Sequence, residues 1–113
     1  MHEYSIAYDI AATARRAALE NHASQVKKVW VDIGEIAMVN PDQVKFLFDA
    51  IIEDDPLFKG VVMVCREIKV TSRCDCGYEG NERFVCPQCG GLPRIVGGKE
   101  IVVSNIEIEV DES

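Results

Sequence analysis

The stretch SRCDCGYEGNERFVCPQCGG, residues 72–91, holds four of the chain's five cysteines. They fall into two close pairs. Cys74 and Cys76 are spaced C-x-C and followed by Gly77, and Cys86 and Cys89 form a C-P-x-C-G knuckle in which Gly90 eases the turn. Nine residues separate the pairs. Two such pairs can close a tetrahedral four-sulfur site, a ligand set that suits zinc. The surrounding residues are rich in Gly, Cys and Pro with little periodicity. A segment this small cannot bury enough apolar surface by itself, so a metal is expected to hold it together.

Two other readings of the cysteines are weighed against zinc. A redox dithiol would need one C-x-x-C at a helix start and would leave the other pair unexplained. A four-cysteine iron site of the rubredoxin kind uses similar spacing, so the spacing points to a metal more firmly than to which one. Four sulfurs fill zinc's coordination shell and leave no position for water, which makes the site structural rather than catalytic. The C-x-C pair is one residue shorter than the usual C-x-x-C and tightens the first loop. Cys65 is the substitute ligand if that loop fails. It lies in the apolar run VVMVC, where a free cysteine commonly serves as a small buried hydrophobe, so it is expected to stay outside the site.

The segments on either side alternate as strands do. VVMVCREIKV (61–70) reads as a strand that is buried first and exposed later, and EIVVSNIEIEV (100–110) places Ile106, Ile108 and Val110 on one face. Further upstream, SIAYDIAATARRAALENHA carries Ile6, Ile10, Ala14, Ala17 and Ala18 at helical spacing, which predicts a helix over about residues 4–22. KKVWVDIGEIA alternates with Val29, Val31 and Ile33 on one side. NPDQVKFLFDAII opens with Asn40 as N-cap and Pro41 in the first turn, and Val44, Leu47, Phe48 and Ile51 make an amphipathic helix.

The element order predicts an α+β fold, a three-stranded sheet with two helices on one face. Residues 1–71 and 99–113 form this domain. Residues 72–98 form an inserted zinc-ribbon-like (rubredoxin-like) four-cysteine lobe.

Composition narrows the function. The chain of 113 residues is 48% hydrophobic and 27% charged, ordinary for a globular domain, and only the tail DES is expected to be disordered. No apolar run approaches ~18 residues and no signal-peptide pattern opens the chain, which reads as cytoplasmic with no membrane role. A formal charge of −7 disfavours nucleic acid and fits a protein partner or a cation. No general base, nucleophile and oxyanion constellation is evident, so the chain does not read as an enzyme.

The start MHEYS, the segment VDIGEI, the motifs CGYEG and CPQCGG, and IEIEV near the end together resemble the HypA/HybF family. These are nickel metallochaperones that act in maturation of NiFe hydrogenase. The resemblance spans essentially the whole chain. It implies Ni(II) at His2 with backbone nitrogens of Met1 to Glu3, and Zn(II) at Cys74, Cys76, Cys86 and Cys89. It also implies a partnership with the nickel-handling GTPase HypB and delivery to the hydrogenase large subunit precursor, and leaves a weak homodimer open.

Residue chemistry supports the terminal site on its own terms. The Met1 amine and the His2 amide nitrogen can close a five-membered chelate ring, and the His2 amide and its own Nδ1 a six-membered one. Those nitrogens approach one plane, a geometry that Ni(II) favours. Glu3 can add its backbone nitrogen, or its carboxylate as an outer acceptor. A bulky residue at position 2 also discourages removal of Met1. His22 is expected only to favour the end of the first helix, and Asp42 and Glu35 read as surface charges.

Two alternatives remain. In a zinc-ribbon protein- or nucleic-acid-binding adaptor, a lobe that grips phosphates should be basic. Instead Arg73, Arg83 and Arg94 balance Asp75, Glu79 and Glu82. A redox regulator acting through Cys74 and Cys76 would be recognised by its thiol titre with and without chelator.

Overall fold

The computed structural model describes residues 3–111, so Met1, His2 and the tail residues Glu112 and Ser113 lie outside it. Its first helix, α1 (Glu3–Glu20), buries Ile6, Ala7, Ile10, Ala11, Ala14 and Ala18. Small side chains along that stripe let the helix sit close to its neighbours. The helix stops two residues earlier than its periodicity predicts. His22 adopts a left-handed φ of 57° and the Ala23 N–H bonds the Ala18 carbonyl at 2.9 Å, a Schellman-type closure.

The central strand β1 (Gln25–Gly34) pairs in parallel with β2 (Val62–Ile68) and antiparallel with β6 (Ile101–Glu109), giving the order β2-β1-β6. Val29, Val31 and Ile33 point into the core, while Lys28, Trp30 and Asp32 lie on the open face. Two register shifts break the β1–β6 ladder, between Val26 and Lys28 and between Trp30 and Val31. The second lets Ile101 and Val103, and then Ile106 and Ile108, all face the core despite the interrupted alternation. Val110 falls beyond the strand and is exposed, in contrast to its expected place on that face.

In α2 (Pro41–Ile52), the Asn40 side chain accepts hydrogen bonds from the Asp42 and Gln43 N–H groups, satisfying two free donors of the first turn. Val44, Phe48 and Ile52 are buried. The helix packs on α1, which in turn lies over β1 and β6. Asp55 then caps a short 3-10 turn at Pro56–Phe58, which sends Phe58 beneath Phe48 with the rings edge-on at 6.0 Å. Burying Phe48 fully contributes about 2–3 kcal/mol. Arg15 fastens the same corner, its guanidinium bound to Asp55 and lying over the Phe58 ring.

Between β2 and β6 the chain leaves this domain and builds a second small sheet, ordered β4-β3-β5 from β3 (Thr71–Arg73), β4 (Glu79–Gly80) and β5 (Arg94–Gly97). The molecule is elongated, 61 × 28 × 16 Å, with the four-cysteine lobe as an insertion between two strands of the larger sheet. Among the described residues no helix is long and apolar enough to cross a membrane.

Candidate metal centre

The lobe's small sheet ends in two tight loops, and each loop delivers a cysteine pair. After β3, the Gly77 N–H bonds the Cys74 carbonyl and the Cys74 N–H bonds the Tyr78 carbonyl, both at 2.9 Å. Gly77 has φ of 100°, a conformation open to glycine that closes the short C-x-C loop. The second knuckle is built alike. The Gly90 N–H bonds the Cys86 carbonyl and the Cys86 N–H bonds the Gly91 carbonyl, both at 2.8 Å.

These loops bring all four sulfurs within 4.8 Å of one another. Cys74 Sγ lies 3.5 Å from Cys89 Sγ, and Cys76 Sγ lies 3.6 Å from Cys86 Sγ. A zinc–sulfur bond of about 2.3 Å places tetrahedral sulfurs roughly 3.8 Å apart, so the cluster has the span a metal of that size requires. The missing residue of the C-x-C pair does not keep its two sulfurs apart from the others.

Electrostatics point the same way. At Cys76 the Tyr78 N–H favours the thiolate, but burial and hydrogen bonds with the other three cysteines outweigh it and push the thiol up to about 12. Burial opposes ionisation at Cys86 too. There the N–H groups of Cys89 and Gln88, with Cys76 and Cys89, prevail and bring the thiol down to about 7. At Cys89 the Gly91 N–H, which donates to its sulfur at 3.4 Å, and Cys76 favour the thiolate, but Cys74, Cys86 and burial outweigh them and push the thiol up. The protein dipoles therefore welcome a thiolate at one position while its neighbours resist ionisation. Four thiolates at these separations need a cation among them, and thiolate softness favours zinc or iron.

Cys65 stands apart from this cluster. It lies on β2 opposite Val31, packed against the core, and burial pushes its thiol up.

The terminal histidine of the sequence reading, His2, lies outside the described residues. Glu3 opens α1, so its backbone N–H belongs to the first turn, whose donors have no partner inside the helix. His22 sits at the other end of that 18-residue helix, about 27 Å away along its axis. Asp42 is exposed in the first turn of α2.

Glu35 departs from its reading as a plain surface charge. Its carboxylate accepts the Val70 N–H at 3.2 Å and faces Lys69 Nζ at 3.5 Å. That backbone bond, helped by Lys69 and Arg83, holds the carboxyl below the usual glutamate range despite some burial. The only trace in the sequence was its position, immediately after a strand-ending glycine.

Comparison with known proteins places these features together in one family. The family described as "Hydrogenase/urease nickel incorporation, metallochaperone, hypA" matches residues 1–108. A hydrogenase maturation factor HypA from Methanocella arvoryzae is 38% identical over 114 residues, covering 97% of this chain and 100% of that protein. The HypA of Methanothermobacter thermautotrophicus is 35% identical over 120 residues, covering 96% and 98%. Among solved structures, the nickel metallochaperone HypA from Helicobacter pylori superposes with a TM-score of 0.78 at 25% identity, covering 98% of this chain and 100% of that one.

Proposed function

The chain belongs to the HypA family of nickel-handling metallochaperones for NiFe hydrogenase maturation, and we propose that it carries Ni(II) at its first three residues while a zinc ion holds its lobe. It is a carrier and not an enzyme. Its chemistry is therefore ligand exchange: nickel must be held firmly enough to be selective and loosely enough to leave.

The observation that carries the nickel reading is the start of α1 at Glu3. A backbone nitrogen deep inside a helix is committed to a carbonyl, whereas that of Glu3, in the first turn, has no carbonyl partner within the helix. It can therefore ligate beside the His2 imidazole and the Met1 amine. Glu3 adds a carboxylate in the first turn that can steady the imidazole or the ion.

For the lobe, the convergence of Cys74, Cys76, Cys86 and Cys89 supports Zn(II), bound as four thiolates with no open position. We take residues 72–98 as the zinc lobe and residues 1–71 with 99–113 as the nickel-binding domain. Family membership supports HypB and the hydrogenase large subunit precursor as the partners between which nickel passes, in the cytoplasm.

The test is a nickel titration followed by absorption spectroscopy on two proteins, one with the native start and one with a few residues added before Met1. The native protein should bind nickel with a planar-nitrogen spectrum, and the extended one should lose that spectrum. Equal binding with identical spectra would place the site elsewhere.

A further inference from the structure

We propose that Glu35 is a positioning residue that sets the angle between the four-cysteine lobe and the sheet carrying the helices. The lobe is joined to the domain by two crossing segments, one leaving β2 and one entering β6. Both pass beside residues 34–36. The Gly34 N–H bonds the Glu100 carbonyl at 2.8 Å, the Glu35 N–H bonds the Ile68 carbonyl at 2.8 Å, and the Ile36 N–H bonds the Gly98 carbonyl at 3.0 Å.

Where they cross, backbone meets backbone. A Cβ on Gly34 would stand 2.3 Å from the Gly98 carbonyl group, and a Cβ on Gly98 would stand 2.7 Å from Val70 Cα. With no side chain between them, the two segments form a pivot. Contacts at a pivot resist separation but give little resistance to rotation. A directional hydrogen bond from a side chain at the crossing supplies the resistance. The Glu35 side chain makes one, reaching past the end of the larger sheet to the Val70 N–H, on the residue that meets Gly98 and one before β3 begins.

The charges around it reinforce that reach. Lys69 lies 3.5 Å from the carboxylate but 2.7 Å from Glu67, so its tie to Glu35 is secondary. Arg83, a residue of the lobe itself, contributes a favourable field at the same carboxylate. On the other side, Ala37 lines a cavity of about 630 Å³ together with Ile6, Asp9 and Ile10 of α1 and Lys99 and Glu100. The segment gripping the lobe thus leads to a cavity that it shares with the first turns of α1. A partner that touches both lobe and α1 meets them at an angle this residue holds.

The experiment uses the full zinc-loaded chain and amide residual dipolar couplings. In the wild type, one alignment tensor should fit the lobe and the larger sheet together. In Glu35→Ala the lobe's alignment should fall below that of the sheet, with zinc content and the fit within each part unchanged. Glu35→Gln keeps an oxygen acceptor at full reach and should retain the shared tensor. Glu35→Asp keeps the charge but is one methylene short and should lose it. A shared tensor in Glu35→Ala would overturn the proposal. If Glu35→Ala does not fold, the other two variants still decide. A lobe held by Glu35→Asp and freed by Glu35→Gln would overturn it too, by making charge and not the Val70 hydrogen bond the cause.

Discussion

Cys74 and Cys89, 15 residues apart in the chain, bring their sulfurs to 3.5 Å of one another. Each knuckle therefore closes against the other, and neither is complete alone. The lobe's interior amounts to little beyond this contact, since among its residues only Ser72, Cys86, Pro93 and Gly98 are buried. Folding of the lobe and binding of a metal by its four cysteines are therefore expected to be one event.

Chelating the metal should therefore melt the lobe and spare the larger sheet, whose core around Phe48, Val29 and Val31 is continuous without it. Hydrogen exchange after chelation should show amides of residues 72–98 unprotected and those of β1 still slow. Protection retained throughout the lobe would contradict the prediction.

Cys65 and Cys86 should separate cleanly by metal content. Cys86 is buried among the four sulfurs, whereas Cys65 packs against the core of the other domain. Elemental analysis should find one zinc per chain in the wild type and in Cys65→Ala, and none in Cys86→Ser. Zinc lost from Cys65→Ala would overturn the ligand assignment.

His2→Ala should abolish specific nickel binding and leave zinc content and thermal midpoint unchanged, because the four cysteines and the buried core are made by other residues. Nickel affinity should also fall in acid. Protons compete for an imidazole of reference pKa about 6.5, and any ligating amide must give up its own proton as well. Calorimetric titrations across that range would reveal the trend, and a pH-independent affinity would rule out an imidazole ligand.

Gly98→Ala should destabilise the fold by about 2 kcal/mol or more, combining left-handed strain with a clash. Gly98 has φ of 88° and its added Cβ would meet Val70 Cα at 2.7 Å. Gly60 supplies the comparison, with φ of 76° but open space around its Cβ position. Gly60→Ala should show only the strain, about 1 kcal/mol. Denaturant midpoints of the two variants test the difference.

Asp32 should make a small contribution to acid sensitivity. Arg66 grips both its carboxylate oxygens from the neighbouring strand, at 3.0 and 2.9 Å. That hydrogen bond, aided by Ser104, outweighs burial and holds Asp32 below the ordinary aspartate range. A lowered folded pKa means that the stabilisation is fully present above the unfolded value of about 4 and is lost as pH falls through the folded one. The thermal midpoint of Asp32→Asn should lie slightly below wild type at neutral pH and converge with it in acid. A constant difference down to the acid limit would exclude this linkage.

Much of this molecule was legible in its residue pattern because the relevant physics is local. Asn40 and Pro41 announce the start of α2 through caps that act within three residues. The stripe of Ile6, Ile10 and Ala14 states which side of α1 is buried, and the two cysteine pairs declare a metal site by ligand type and spacing. What the pattern missed depends on segments far apart in sequence. The phase change in β6 needs the register of β1 to be seen, since a bulge preserves burial while breaking alternation. Only the fold shows that the shortened Cys74–Cys76 loop still reaches the other knuckle. The same holds for Glu35, an ordinary acidic residue in the sequence whose partner Val70 is 35 positions away. Side-chain periodicity and ligand chemistry are written residue by residue. The approach of Gly34 to Gly98, and the angle it gives the lobe, come into being only when two distant stretches of backbone cross.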